Sequence, residues 1–296
     1  MNREKKIHII SKTYTKYLYI APVLILIVAI FIYPLFQVMY SSFFNIRTGA
    51  GSGTFIGFEN YKAIFLDITF WRSMRSTLIW TLGNTIVQLI FPLVVAILLN
   101  KKLKGMNIFR VAVLLPWIVP MVALAVAMRW MLLPDIGIFN GILKSVFGIQ
   151  INFLASKVAA FITLTIFNSW KLFPFGTLLI LSALQTIPDQ VYEAAHVDGA
   201  SPWQQFIYIT FPLLGKVIWF MGFLVFVWSF NTFDTIWLTT EGGPGNALKT
   251  IPILIYRTAF RVFRLGEGAT IATIGAVFLI LLGILYFKFL TPKREN

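Results

Sequence analysis

YLYIAPVLILIVAIFIYPLFQVMYSSFFNI, residues 17–46, runs for thirty positions without a charged side chain. A helix needs about 20 mostly apolar residues to cross a bilayer, so this run is long enough to span one. It follows a basic start, Arg3, Lys5, Lys6, Lys12 and Lys16, and its apolar length exceeds the core of a cleavable signal peptide. The rest of the chain agrees. Of 296 residues, 58% are hydrophobic and 12% charged, where a soluble domain carries roughly 25% charged residues. The composition is that of a polytopic membrane protein.

Working outward, five more stretches have the length and polarity of spans: residues 76–100, 111–128, about 158–183 (interrupted by Lys171), about 213–235, and 268–287. All should be helical, because open backbone has no hydrogen-bond partner in lipid. The expected fold is all-α with six transmembrane helices, kinked at Pro22, Pro34, Pro92, Pro116, Pro120 and Pro174. The chain divides into an N-terminal segment 1–16, a first helix 17–40, an outer loop 41–75 with an interfacial aromatic segment, a core 76–288 containing a loop at 184–212, and a tail 289–296.

Six spans place both termini on one side. The positive-inside rule makes that side cytoplasmic, supported by Lys101, Lys102, Lys104, Arg110, Lys288, Lys293 and Arg294. Arg47, Lys62, Arg72, Arg75, Lys144 and four basic residues between Lys249 and Arg264 count against it. The net charge of +14 reads as cations facing anionic headgroups, not nucleic acid.

Enzyme chemistry finds no purchase. There is no cysteine, and the two histidines, His8 and His196, stand apart; no metal site or catalytic set is expected. The nearest approach to a phosphate cradle is Gly243 to Thr250, where Leu248 replaces the second glycine and no buried strand precedes it. This chain should not hydrolyse ATP by itself.

One polar island interrupts the apolar pattern: EAAHVDGASPWQQFIYITFP, residues 193–212. It reads as two short helices broken at Gly199. The second has Ser201 as N-cap, Pro202 at the first helical position and Gln204 three residues after the cap. A compact, Ala-faced elbow here suits a docking surface for a soluble partner. The pattern Glu-Ala-Ala, Gly199 and Ile209-Thr-Phe-Pro212 resembles the EAA loop of permease subunits of binding-protein-dependent ABC importers. Asn84-Thr85, Phe109-Arg110, Pro116, Trp170, Asp198-Gly-Ala-Ser201, Asn231, Phe233-Asp234 and Thr240-Glu-Gly-Gly-Pro244 extend the resemblance over the chain from about Gly57. Of these, Asn231, Phe233-Asp234 and Thr240-Glu-Gly-Gly-Pro244 resemble the carbohydrate branch, the maltose and glycerol-phosphate type of first permease subunit. Phe211 departs from the usual Leu.

The resemblance implies a type I ABC importer transmembrane fold in a bacterial cytoplasmic membrane. It implies a coupling helix seated in a cleft of an ATPase subunit, with Glu193, Ala194, Ala195, Asp198, Gly199, Ala200 and Ser201 at the contact. The partners would be a second, homologous permease, two ATPase subunits and an extracytoplasmic binding protein. ATP and Mg would sit on the ATPase chains, and this chain would bind no cofactor of its own.

Polar groups inside spans are costly and mark a pathway or a partner. Asn168, Lys171, Ser229, Asn231, Thr232 and Asp234 are expected to line the substrate path, with Trp170, Trp228 and Phe230 placed for stacking on sugar. The other possibility is that such groups bond helix to helix. Lys171 could pair with Asp234 or with a carboxylate of a partner subunit. A sugar or oligosaccharide is the expected substrate, with glycerol phosphate or another polar solute as the alternative. An ion-coupled secondary transporter would show internal symmetry, which the sequence lacks.

Overall fold

A computed structural model of the chain describes residues 19–47, 53–101 and 103–290. The N-terminal basic segment 1–16, the tail 291–296 and Lys102 lie outside the described residues, so the charges expected there have no structural account.

Among the described residues five helices are long and apolar enough to cross a membrane, or six if a bent pair counts as one span. In chain order the elements begin with α1 (Tyr19–Ser41). The hairpin strands β1 (Phe44–Asn45) and β2 (Thr54–Phe55) follow. Then come α2 (Glu59–Leu66) and α3 (Ile68–Leu99). The pair α4 (Met106–Ile118) and α5 (Met121–Met131) comes next, followed by α6 (Ile138–Phe147) and α7 (Lys157–Leu184). Helices α8 (Asp189–Val197), α9 (Pro202–Gln205) and α10 (Phe211–Phe230) form the elbow and the fifth crossing. Last are α11 (Asp234–Thr240), α12 (Ile251–Tyr256) and α13 (Leu265–Leu290).

Three boundaries differ from the sequence expectation. The third span is not one rod: α4 and α5 meet at 89°, because Val119 is extended and Pro120 cannot donate to the helix before it. The second span starts at Ile68, inside the segment read as outer loop. Its 32 residues make a helix about 48 Å long, against a hydrocarbon layer of about 30 Å. The fifth span breaks at Asn231–Phe233, so Asp234 opens a new helix instead of sitting in the old one.

The chain forms two compact units. In the one made of residues 1–67 and 255–276, Asn60 donates to the carbonyls of Ser42 and Phe44 at 2.9 and 3.0 Å. Thr270 donates to the Ser42 carbonyl at 3.1 Å, and the Gly266 amide to Ile46 at 3.2 Å. These bonds occupy backbone groups that the two-residue strands leave unpaired. Helix α1 buries no residue.

The other unit comprises residues 68–254 and 277–296 and is built on α3 and α7. Small residues let the backbones approach. A side chain at Gly83 would strike the Phe161 ring, and one at Gly176 would meet Met221 and Pro92 at 3.0 Å. One apolar cluster gathers Trp80, Met128, Leu164 and Ile236; a second, nearer the elbow, gathers Ala96, Leu99, Ile180, Leu214 and Met221. The Arg110 guanidinium donates to the carbonyl of Leu99 at 3.1 Å, satisfying one of the free carbonyls at the end of α3.

Candidate functional site

The elbow between α7 and α10 is stiffened by local chemistry. Helix α8 ends with the Ala200 amide on the carbonyl of Ala195 at 2.9 Å and the Gly199 amide on His196 at 3.0 Å. This pair of bonds is the Schellman closure, which needs a left-handed residue at the second position past the helix. Gly199 supplies it with φ +79°. The next residue but one starts a new helix. The Ser201 amide donates to Gln204 Oε1 at 2.7 Å, and the Gln204 amide donates back to Ser201 Oγ at 3.4 Å. This is the reciprocal capping box expected from the sequence, with Pro202 at the first turn. Gln205 Nε2 adds a bond to the Ala200 carbonyl at 3.1 Å.

Two further bonds tie this elbow to the fifth span. The Tyr192 hydroxyl lies 3.0 Å from Thr210 Oγ1. Residues Phe206–Thr210 form a wide, π-type turn, placed where the ring of Pro212 prevents an ordinary helical bond. Thr210 Oγ1 donates to the Gln205 carbonyl at 3.3 Å inside that turn.

The seven residues expected at the contact fall on one short segment. Glu193, Ala194, Asp198, Gly199 and Ser201 are exposed, while Ala195 and Ala200 are half-buried. Sequence reasoning missed the apolar part of this surface. Val197 is 86% exposed, Tyr208 76% and Trp203 68%, although none of them lies in the middle of a long apolar span. The signal was present in the sequence as large apolar residues within the polar island.

The polar groups inside the spans sort into two sets. Asn168 is 3% exposed and Ser229 1%, so both are packed inside the chain in this structure. Asn168 Nδ2 donates to Asn84 Oδ1 at 2.9 Å and its Oδ1 accepts from Thr235 Oγ1 at 2.9 Å. Asn84 in turn donates to the Trp80 carbonyl at 3.0 Å. The buried amides bind α3, α7 and α11 together. Phe230 is also buried, stacked on Phe278 at 5.6 Å, and is not free for sugar. By contrast Asn231 and Asp234 are exposed and Thr232 half-exposed. Asn231 and Thr232 donate to the carbonyls of Val227 and Trp228 at the frayed end of α10. Trp170 and Trp228 are 41% and 42% exposed.

Lys171 does not pair with Asp234. Its ammonium donates to the carbonyls of Trp117 and Val119 at 2.7 and 2.5 Å. Those carbonyls are left without helical partners where α4 gives way to α5. The cation thus caps the C-terminal end of α4, where the helix dipole is negative. Beside it, Phe175 contacts the rings of Trp117 and Trp228 at 6.2 and 4.9 Å.

Comparison with known proteins then decides the family. Residues 88–295 match the model of the binding-protein-dependent transport system inner membrane component. The chain belongs to this family. It is 34% identical over 283 residues to the trehalose/maltose transport system permease protein MalF of Thermococcus litoralis, covering 94% of each. It is 32% identical over 277 residues to the sulfoquinovosyl glycerol transport system permease protein SmoG of Agrobacterium fabrum, covering 93% of this chain and 90% of the relative. In three dimensions it superposes on a chain of a bacterial alginate ABC transporter in complex with an alginate pentasaccharide-bound periplasmic protein. The TM-score is 0.83 at 21% identity, with 94% of both chains covered, which establishes the fold. This chain is therefore a multi-pass ABC importer permease, a transport component and not a catalyst.

Proposed function

We propose that this permease forms half of a translocation path for a sugar or oligosaccharide and is driven through its elbow by a separate ATPase. The observation that carries the proposal is the double closure around Gly199, joined to the fifth span by Tyr192 and Thr210. A lever must be stiff where it is gripped and joined to what it moves. The contact residues are Glu193, Ala194, Ala195, Asp198, Gly199, Ala200 and Ser201, extended by the exposed Val197 and Trp203.

On this reading the elbow and both termini face the cytoplasm. Two ATPase subunits hold ATP and Mg, a second homologous permease completes the path, and a binding protein delivers substrate from the other side. The names of the relatives support the substrate class, since trehalose, maltose and sulfoquinovosyl glycerol are all built on sugars. Lys171 supports a neutral ligand, because its ammonium is already held by two carbonyls. Asn231, Thr232 and Asp234, with the Trp170 and Trp228 rings, are the groups left exposed for sugar hydroxyls and faces. Lys171 borders the path as a support for its wall.

The test is reconstitution with the neighbouring ATPase and binding-protein genes. The expected result is sugar-stimulated ATP hydrolysis that Gly199→Val sharply reduces. Uptake driven by an ion gradient from this chain alone would overturn the proposal.

A further inference from the structure

Three of the cations that count against the positive-inside rule converge in space. Arg72 and Arg75 on the first turns of α3 and Lys249 in the loop after α11 line one cavity with Lys157, the first residue of α7. Its volume is about 910 Å³, and no carboxylate is among its lining residues. Arg72, Arg75 and Lys157, gathered around it with no carboxylate among the lining residues, raise the local positive potential and call for an anion.

The walls are built for one. Arg72 and Ser76 stand four apart on one helix face, with Ser73 beside them. Ser73 is 1% exposed, and its hydroxyl has no hydrogen-bond partner among the described residues. The loop is held in place by the Ile251 amide, which donates to Thr77 Oγ1 at 2.8 Å. The amides of Ala247, Leu248, Lys249 and Thr250 all donate within the loop, so an anion would be held by side chains and not by a backbone cradle.

The cavity also has an apolar side. Ile79 and Val158 line it and are 49% and 68% exposed. The apolar track continues along α7 through Ile162, which is 50% exposed. Helix α3 is about 18 Å longer than the hydrocarbon layer is thick, so part of it must lie outside that layer, and the charged Arg72 and Arg75 in its first two turns suit the headgroup zone. A small free anion has no use for the apolar track. A ligand with a charged head and a hydrocarbon tail matches both parts.

We propose that this cavity binds the phosphate-bearing headgroup of an anionic phospholipid, with an acyl chain along Ile79, Val158 and Ile162. The inference needs only that the chain spans a membrane and is independent of the ATPase docking proposed above.

The test is native mass spectrometry on the full chain, purified with its complex and relipidated with phosphatidylglycerol or phosphatidylcholine. Phosphatidylglycerol should be retained over phosphatidylcholine by about thirtyfold, the effect of two cations near an anionic headgroup. The double variant Arg75→Gln/Lys157→Gln should lose that preference, and the charge-preserving Arg75→Lys/Lys157→Arg should keep it. Equal retention of both lipids by wild type and variant would overturn the proposal. So would displacement of the lipid by an equal concentration of inorganic phosphate, which would make this a free-anion site. A photocrosslinker at Val158 that captures protein and not lipid would overturn it as well. Co-purified ATPase, measured in the same preparations, separates this outcome from failure of the coupling proposal.

Discussion

The Tyr192 hydroxyl and Thr210 Oγ1, eighteen positions apart in sequence, lie 3.0 Å from each other and join the elbow to the foot of the fifth span. A push on α8 can reach α10 through this bond as well as through the chain. Tyr192→Phe removes one neutral hydrogen bond, about 1 kcal/mol. The elbow should stay folded and the ATPase bound. Sugar transported per ATP hydrolysed should fall severalfold. An unchanged ratio would show that the chain connection alone transmits the motion.

Gly199 adopts φ +79° with nothing near its α-carbon to obstruct a side chain. Substitution there is limited by backbone conformation, at roughly 1–2 kcal/mol for a residue with a β-carbon. Asn tolerates this conformation better than Ala, and Val least. Co-purified ATPase should decline in the order Gly, Asn, Ala, Val. A Val variant as active as wild type would mean that the Schellman closure is dispensable.

Lys171 holds the two carbonyls exposed by the bend between α4 and α5. Lys171→Met should destabilise the purified protein by about 1 kcal/mol, the loss of two hydrogen bonds at a partly exposed helix end, read as a lower melting temperature. Lys171→Arg should recover part of it. Because Asp234 is not its partner, the double swap Lys171→Asp/Asp234→Lys should restore no transport beyond the single swaps. Restoration would show that the two side chains meet in another state of the transport cycle.

Asn168 bridges Asn84 and Thr235. Asn168→Leu leaves both without this partner and should cost about 0.6–2 kcal/mol, the range for hydrogen bonds between membrane helices. The amount of assembled complex should fall while the sugar concentration for half-maximal uptake stays constant. A large change in that concentration would return Asn168 to the substrate path.

Length and local pattern made much of this legible. Apolar runs reveal the spans because a bilayer admits only helices of sufficient length. Ser201, Pro202, Gln204 and Gly199 announce their helix ends because caps are made by residues one to four positions apart. The cap at Ser201 was therefore readable down to its hydrogen bonds, while the bond of Tyr192 to Thr210 was not. The break at Val119–Pro120 was half readable: a proline forecasts a kink, but its 89° angle depends on what receives the freed carbonyls.

Rotation of each span about its own axis was not readable. Apolar residues surround these helices on all sides, so no stripe tells which face turns inward. Only packing against neighbours places Asn168 and Ser229 inside, leaves Asn231 and Asp234 outside, and brings the ammonium of Lys171 to a helix end more than fifty residues away. The gathering of Arg72, Arg75, Lys157 and Lys249 around one cavity has the same origin. Chain order determines which helices exist and where they stop; their mutual packing determines what each polar side chain can touch.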